Sequence, residues 1–492
     1  MNEITIFNDN LSSAEITQII VKENKLSNKI KIIDSADKYF SCENEEIAKK
    51  TRDFYDKDGK PHENPNASNA KIPANFYRML VQQKQDYGFA KSFVFKLSDE
   101  NEEEIDLKED EYGKEWIKFL KRTLYKFAYS SSEKAINHGL TWCYVWIDEN
   151  GELQLKNVSA KYIYPIWKNN EHTKLDKLVY NYEVKEYESL NPTIKEYAEY
   201  WTDKERIVYN ANTYEDVTNV KNEMGEILHS HMIQDNEGIS WDKIPFIVFK
   251  GTNDEKSMLE FIKGYIDNYD ELNSKSVDGL NDDLDPLLVF KGISPDVKDL
   301  LEAREIAKMT RTVSLDTDGD AHYIQAQTNI DSYNSTLARL RKDLINFGYG
   351  IDFEDVRFGG NPNQLVIKSL YQNLDTYTDG LERHFQNFIN ELKYFFDKWY
   401  EFTRRGSFEE VQKYTIGIKL DRSMMINESS LIDDTVKLAG TGISQKTLLE
   451  HNPIVDDVEL ELDRIKEQKK EQQELFGFDN LENLENQNSI KE

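Results

Sequence analysis

The sequence predicts an α+β fold that is mainly helical, and three observations predict it. Between Met258 and Phe402 two long helical patterns bracket a small mixed insert, followed by a Gly/Asn-rich loop and a third helix loaded with aromatic residues. From Leu140 to Phe249 the apolar period shortens to that of strands, so a β-rich block precedes the helices. The chain has 492 residues, 38 % hydrophobic and 12 % aromatic, enough for real cores in roughly three domains. That order of parts suits a protein that surrounds something better than one that encloses a small substrate.

Residues 1 to about 70 are polar, with an acidic helical pattern from Asp34 to Lys50 and a loop rich in Asp, Asn, Pro and Gly from Asp56 to Asn69. From Lys71 to Phe95, Ile72-Pro73 is followed by Phe76, Met79, Leu80, Gln83 and Tyr87 at helical spacing. Asn101–Asp110 is an acidic, solvated loop, and Trp116, Leu120, Leu124 and Phe127 stripe one or two helices between Glu111 and Asn137. Trp142–Ile147, the turn Asp148-Glu149-Asn150-Gly151 and Leu153-Gln154-Leu155 read as a hairpin. Lys177–Val184, Glu196–Trp201, Arg206–Asn210 and Phe246–Lys250 extend it into a twisted antiparallel unit, which Tyr414–Leu420 is expected to join.

The first long helix carries Met258, Ile262, Tyr265, Tyr269, Leu272, Leu280 and Leu284 on one stripe and acids on its other faces, among them Glu260, Asp267, Asp270, Asp278 and Asp282. The insert holds Leu287–Phe290, a helix from Pro295 to about Lys308, and a hairpin of Thr312–Leu315 with His322–Ile324. Acids alternate before Gly319 as in half a calcium loop. Gln327 stands where the bidentate Glu belongs, so the segment reads as a hairpin turn. The second helix reads Ile330, Tyr333, Leu337, Leu340, Leu344, Phe347 and stops at Gly348. Gly348 to Gln364 is long for a helix connection, and its glycines read as those of a flexible arm. The third helix repeats Leu374, Tyr377, Leu381, Phe385, Phe388, Leu392, Phe395, Trp399, Phe402 at core spacing. Short helices at Ser429–Gly440 and Ser444–His451 and a charged helix from Val455 to about Leu475 follow, then an Asn/Glu/Gln-rich tail from Phe476 expected to be disordered.

A net charge of −29 argues against holding nucleic acid over a broad surface, because such binding draws on cations that release counterions from phosphates. It leaves room for a protein that lets DNA pass, and it also suits plain solubility. No run approaches the ~18–20 apolar residues of a membrane span. Met1-Asn2-Glu3-Ile4 does not look like a signal peptide, and Cys42 and Cys143 read as buried thiols of a reducing compartment. The Gly-Lys pairs Gly59-Lys60 and Gly113-Lys114 continue with Pro61 and Glu115, so no phosphate-binding loop is expected. No His-Glu-x-x-His or Cys-x-x-Cys pattern occurs, and His229 with His231 lacks a nearby acid, so no metal, cofactor or catalytic residue is nominated. Arg339, Arg341 and Lys342 stand out against the acidic background. Two readings stay open for them: local pairing with Asp343 and neighbouring acids, or contact with a polyanion.

Several motifs occur in a fixed order: Lys71-Ile72-Pro73, Leu80-Val81, Lys84 and Tyr87-Gly88; Asp148 with Gly151; Tyr164-Pro165-Ile166; and Ile244-Pro245-Phe246-Ile247. Ile266-Asp267, Tyr269-Asp270 and Ser274 follow, then Asp285-Pro286-Leu287-Leu288 with Lys291-Gly292. Gly442-Ile443-Ser444, Lys446-Thr447-Leu448-Leu449, Pro453 and Asp456-Asp457 close the series. Over roughly residues 30–465 the chain resembles the portal proteins of long-tailed double-stranded DNA bacteriophages. It departs from them at Ser92, where Pro is expected, and at Gly359–Gln364, a loose version of the family's loop.

The resemblance implies a portal fold with wing, stem, clip and crown, assembled as a ring of about twelve copies around a central channel. It implies a place in the virion at one capsid vertex after assembly in the host bacterial cytoplasm. Its partners would be capsid and scaffolding proteins, the packaging ATPase (the terminase large subunit), head-completion or adaptor proteins, and DNA passing without sequence specificity. Mapped here, 1–257 would be the N-terminal region and β-rich wing, 258–285 the first stem helix, 286–328 the clip and 329–347 the second stem helix. Residues 348–365 would be the tunnel loop, 366–428 the long wing helix and returning strand, 429–475 the crown and 476–492 a disordered tail. Arg339, Lys342, Asp352, Glu354, Asp355 and Arg357 would then lie along the DNA path, and Lys298 and Arg304 in the docking clip. An acidic lining would let DNA slide, and a ring interface would cover aromatic stripes that one subunit leaves bare. The alternatives are another ring-forming head–tail connector and a soluble acidic hydrolase with its site in the β-rich half.

Overall fold

The computed structural model describes residues 10–56, 58–64, 67–187, 191–221, 224–234, 237–283, 287–291, 320–324, 330–354, 364–403, 405–422 and 437–450, with residues 302, 305–306, 309, 455, 458 and 461–470. It divides into two compact units, residues 1–350 with 374–423 and residues 351–373 with 424–492.

The first unit opens with helices α1 (Ser13–Lys25), α2 (Asn28–Phe40) and α3 (Glu45–Ala48) and a hairpin of β1 (Asp53–Tyr55) and β2 (Pro61–Glu63). A reciprocal cap starts α1: the Ser12 hydroxyl accepts the Glu15 N–H while the Glu15 carboxylate accepts the Ser12 N–H. Next come α4 (Phe76–Phe89), β3 (Val94–Ser98), α5 (Glu111–Phe119), a π-helical turn (Leu120–Leu124) and α6 (Tyr125–His138). Trp116, Leu120, Leu124 and Phe127 are all buried, as their spacing requires.

The β-rich block is two sheets rather than one. β4 (Leu140–Ile147) lies between β5 (Leu153–Val158) and the later β12. A second, antiparallel sheet takes β6 (Ile163–Trp167), β7 (Leu175–Glu186), β8 (Thr193–Trp201) and β9 (Arg206–Asn210) in order. β10 (Met232–Gln234) and β11 (Glu237–Ile239) form a small hairpin before β12 (Phe246–Lys250). β4 reads as a near-continuous apolar run because both of its faces are covered. Cys143 and Val145 join the main core, while Leu140 and Trp142 join a second cluster with Leu178, Trp201 and Phe246.

The helical block consists of α7 (Met258–Asp283), β13 (Leu287–Lys291), β14 (Asp320–Ile324), α8 (Ile330–Phe347) and α9 (Gln364–Phe402). α10 (Phe408–Val411) and β15 (Thr415–Lys419) complete the first unit. β14 pairs with β13, His322 opposite Val289. Its expected partner Thr312–Leu315 and most of the Pro295–Lys308 helix lie outside the described residues.

Three further expectations are corrected. Tyr414–Leu420 does not join the wing-like sheets: β15 pairs with β3, Ile416 opposite Leu97 and Ile418 opposite Phe95. The ribbon packs through Phe95, whose ring lies 5.0 Å from that of Trp116. The aromatic stripe of α9 also needs no neighbouring subunit. Phe385, Phe388, Leu392, Phe395 and Phe396 are all within 1 % of full burial. Phe396 stacks on Trp116 at 3.9 Å, Phe388 on Phe127 at 5.5 Å, and the Trp399 indole donates to the Gly151 carbonyl at 2.8 Å. Both cysteines are free, Cys143 buried and Cys42 part-exposed, so only one is the buried thiol expected.

In the second unit, α11 (Gln445–Glu450) and a helical run at 461–470 fall within the helices expected at Ser444–His451 and Val455–Leu475. Residues 423–436 and 471–492 lie outside the described residues.

Candidate functional site

The first long helix is gripped along one face by the chain that precedes α4. Asp270, Ser274, Asp278 and Asp282 recur every four residues on α7. They accept the backbone N–H groups of Ala74 at 2.9 Å, Ile72 at 3.1 Å, Ala70 at 2.6 Å and Ser68 at 3.0 Å. Two residues of extended chain advance ~6.6 Å. Four residues of helix advance ~6.0 Å, so alternate strap residues stay in register with one side of α7, running antiparallel to it. Lys50 and Arg52 complete the arrangement. Each donates to a strap carbonyl (Ala70 at 3.0 Å, Ser68 at 2.9 Å) and pairs with the matching carboxylate, Asp278 or Asp282.

At the other end of the strap, Asn44 donates to Asp270 at 2.7 Å, and Asp267 receives the Tyr39 hydroxyl and the Lys263 ammonium. Burial pushes the Asp270 carboxyl up to about 6 against the bonds from Asn44 and Ala74. Burial also acts to raise Asp278, but Lys50 and the Ala70 N–H outweigh it and hold that carboxyl below its usual range. The acids on this face are therefore structural. Sequence reading missed the strap, although the four-residue recurrence of Asp270, Ser274, Asp278 and Asp282 was a signal that could have found it.

The second long helix is covered differently. α8 runs antiparallel to α7, with the rings of Tyr265 and Phe347 5.1 Å apart. Only Leu344 and Ile345 of its 18 residues are buried. Arg339 and Lys342 are exposed, and among the described residues neither has an ion pair or hydrogen bond. For these two side chains the local-pairing reading finds no contact among the described residues, whereas Arg341 does interact with its surroundings. Arg341 is half-buried and belongs to another face.

α8 ends in a Schellman turn: the Gly350 N–H donates to Ile345 O at 2.8 Å and the Tyr349 N–H to Asn346 O at 3.1 Å. The left-handed position is held by Tyr349, at φ 52°, not by either flanking glycine. Gly348 and Gly350 serve close approach instead. A Cβ there would sit 2.6 Å and 2.3 Å from methyl carbons of the fully buried Leu80 on α4. The arm expected to flex at these glycines is thus packed at its root. Lys84, also on α4 and 0 % exposed, donates to the Gly348 carbonyl and to its own helix at Leu80 O, 3.1 Å away.

In the second unit, Asp352 is half-buried and Glu354 exposed, with the Glu354 N–H donating to Asp352 at 3.1 Å. Asp355, Arg357, Lys298 and Arg304 lie outside the described residues. His229 pairs with Asp216, and His231 sits on the Thr202 carbonyl, where burial pushes its ring down to about 4. Among the described residues no group of three or more His, Cys, Asp and Glu side chains could hold a metal ion, and no helix is long and apolar enough to cross a membrane.

Comparison with known proteins bears on the whole of this architecture. The portal protein of Bacillus phage SPP1 is 24 % identical over 442 residues, 89 % of this chain and 84 % of the relative. The portal protein of Clostridium phage phiCD119 is 26 % identical over 418 residues, 81 % and 84 % of the two chains. The family model described as phage portal protein, SPP1 Gp6-like, matches residues 20–475. That match takes in both long helices, their insert, the strap and the root of the loop. The chain therefore belongs to the phage portal protein family.

Proposed function

We propose that this portal protein works as a ring of about a dozen copies around a DNA channel at one capsid vertex, for genome packaging, retention and ejection. α7 and α8 would form the stem, residues 286–328 the clip, 348–365 the tunnel loop, the β-rich N-terminal half with α9 and β15 the wing, and 429–475 the crown. The clip would carry the docking surface for the packaging ATPase and then for head-completion proteins, with Lys298 and Arg304 within it. The observation that carries the reading is the bareness of α8. An 18-residue helix that buries two residues gains most of its stability from packing it does not find among the described residues. Copies set side by side would cover it, as a heterologous interface that closes on itself does.

Arg339 and Lys342 would face the channel and touch phosphates briefly, and the acids and Arg357 of the loop would lie further along the path. The purified chain should therefore form rings of roughly a dozen copies, visible by negative-stain imaging and by light scattering. A stable monomer of 57.7 kDa at micromolar concentration would refute the reading. Shortening the loop between Asp352 and Asn361 should leave rings and capsid incorporation intact and abolish DNA packaging or retention. Full-length packaged DNA in such particles would remove the tunnel assignment alone.

A further inference from the structure

Three unfavourable features meet where α8 gives way to its loop. Lys84 is fully buried, and no carboxylate pairs with it among the described residues. It has two carbonyl oxygens and the face of Tyr377, whose ring centre is 5.1 Å from the ammonium. The Tyr377 hydroxyl is itself buried with no hydrogen-bond partner among the described residues. Tyr349, its ring 5.7 Å from that of Tyr377, occupies the left-handed region that side chains disfavour. Each feature is costly alone. Backbone strain and orphaned polar groups persist where the surroundings over-determine them, and they gather at elements that switch.

The surroundings also leave room to move. A cavity of about 510 Å³ adjoins the junction, lined by Phe261, Tyr265, Phe347, Tyr349, Tyr377 and His384. Phe347 and Tyr349 are already about half exposed, at 51 % and 45 %. If the turn at Gly348–Gly350 lifted from Leu80, water would reach the Lys84 ammonium and the Tyr377 hydroxyl, and Tyr349 could leave its strained conformation. All three costs would be relieved by one movement.

We infer that the junction between α8 and its loop is a proton-coupled hinge, closed when Lys84 is sealed against the Gly348 carbonyl and open when that side chain is hydrated. The inference concerns the junction alone and does not require the ring. Burial pushes Lys84 down to about 7 in the closed form. In water it would return to the ordinary lysine value of about 10.4. The sign follows from proton counting. Well below 7 both forms hold the proton, and opening does not depend on pH. Above 7 the closed form has lost it while the open form keeps it, so opening takes up a proton and becomes rarer as pH rises. Between pH 6 and pH 8 the open population should fall about tenfold.

Neighbouring groups do not supply this dependence. On Lys84's own helix, Tyr87 donates to Asp375 at 2.5 Å, and on α9 Asp375 is ion-paired with Arg422. Burial pushes the Tyr377 phenol upward, away from this range, and pushes His384 below its ordinary value. From α8 the ammonium meets only the Gly348 carbonyl among the described residues.

The test is amide hydrogen exchange of the full-length protein, expressed as protection factors so that the intrinsic pH dependence cancels. Amides of 344–350 should be about tenfold better protected at pH 8 than at pH 6, while those of 388–396 in the α9 core should not change. Lys84→Met, which keeps the chain length without a titratable group, should abolish the difference. Flat protection at the junction in the unmodified protein would overturn the inference whether or not the variant folds. So would a pH difference that survives in Lys84→Met, or one shared equally by the α9 core. Light scattering on the same samples reports the ring separately, so a failed hinge and a failed ring are distinguishable.

Discussion

Replacing Asp278 by Ala should release the strap from α7 while leaving the core intact. The carboxylate is 4 % exposed, accepts the Ala70 N–H at 2.6 Å and pairs with Lys50, whose side chain is 13 % exposed. Removing it strands a half-buried amide donor and a nearly buried ammonium together. Breaking one partner of a buried pair costs about 3–5 kcal/mol, and the stranded amide about 1–3 kcal/mol, two terms that overlap and do not add. The expected loss is therefore about 3–5 kcal/mol. Asp278→Asn keeps an oxygen for the Ala70 amide and should lose about 1–3 kcal/mol.

Amide exchange across 68–74 is the assay, because the loss should appear there first, followed by thermal unfolding. The pH dependence adds a second signature. The folded Asp278 carboxyl lies below its unfolded value, so its contribution is present above about pH 4 and lost as pH falls further. Asp270 is shifted the other way, to about 6, so its contribution is present at low pH and lost as pH rises through about 6. Protection at Ala70 should thus fall on acidification below about pH 4, while protection at Ala74 should fall on raising the pH through about 6. Unchanged exchange at Ala70 in Asp278→Ala would refute the account of the strap.

Further outcomes follow from the same contacts. Phe388→Ala and Leu392→Ala, at 1 % and 0 % exposure, should each lose about 2–5 kcal/mol in thermal unfolding, and normal stability in both would show that the α9 stripe is not core. Arg339→Ala with Lys342→Ala should leave stability within about 0.5 kcal/mol, since neither side chain is engaged among the described residues, and should give a mild, salt-sensitive packaging defect. Wild-type packaging at every salt concentration would detach that pair from DNA. Lys298→Glu and Arg304→Glu should weaken capture of the packaging ATPase or the adaptor in pull-downs while rings persist. Unchanged capture would move docking away from 286–328.

Much of the fold was legible because burial on two sides leaves a plain pattern. β4 reads Leu140–Ile147 without interruption, and α9 places its aromatics at core spacing; both are sealed within the first unit. What escaped was structure made by polar atoms or by pairing at a distance. β3 looks like the end of a helix until β15 lies beside it, more than three hundred residues later in the chain. The glycines at 348 and 350 looked like freedom, since sequence does not reveal that Leu80 lies against them. At the level of the site, Arg339 and Lys342 were identifiable from the acidic background. Lys84 was noticed only as one letter of a family pattern, because a lysine inside a core violates the expectation that lysines stay wet.

The acids of α7 change how the net charge of −29 should be used. Counted along the sequence, they suggest a helix that repels phosphates over its whole surface. In the structure Asp267, Asp270, Asp278 and Asp282 are turned to Tyr39, Asn44, Lys50, Arg52 and the strap, and Glu271 pairs with Lys275. A carboxylate matched by a cation and a backbone donor projects little field beyond a Debye length of ~8–10 Å. On α8, Arg339 and Lys342 are exposed with no ion pair among the described residues, and they share that helix with two acids, Asp331 and Asp343. If DNA passes that helix, ease of movement cannot rest on repulsion by α7. It must rest on the weakness of each cationic contact, since an exposed charge pair is worth roughly 0–1 kcal/mol and is screened by salt. The two mechanisms respond to salt in opposite ways. Screening a repulsive lining would let phosphates approach the wall and slow them, whereas screening sparse attractive contacts would free them. If α8 lines a DNA channel as proposed, contacts from Arg339 and Lys342 should weaken with added salt, and DNA should move more freely.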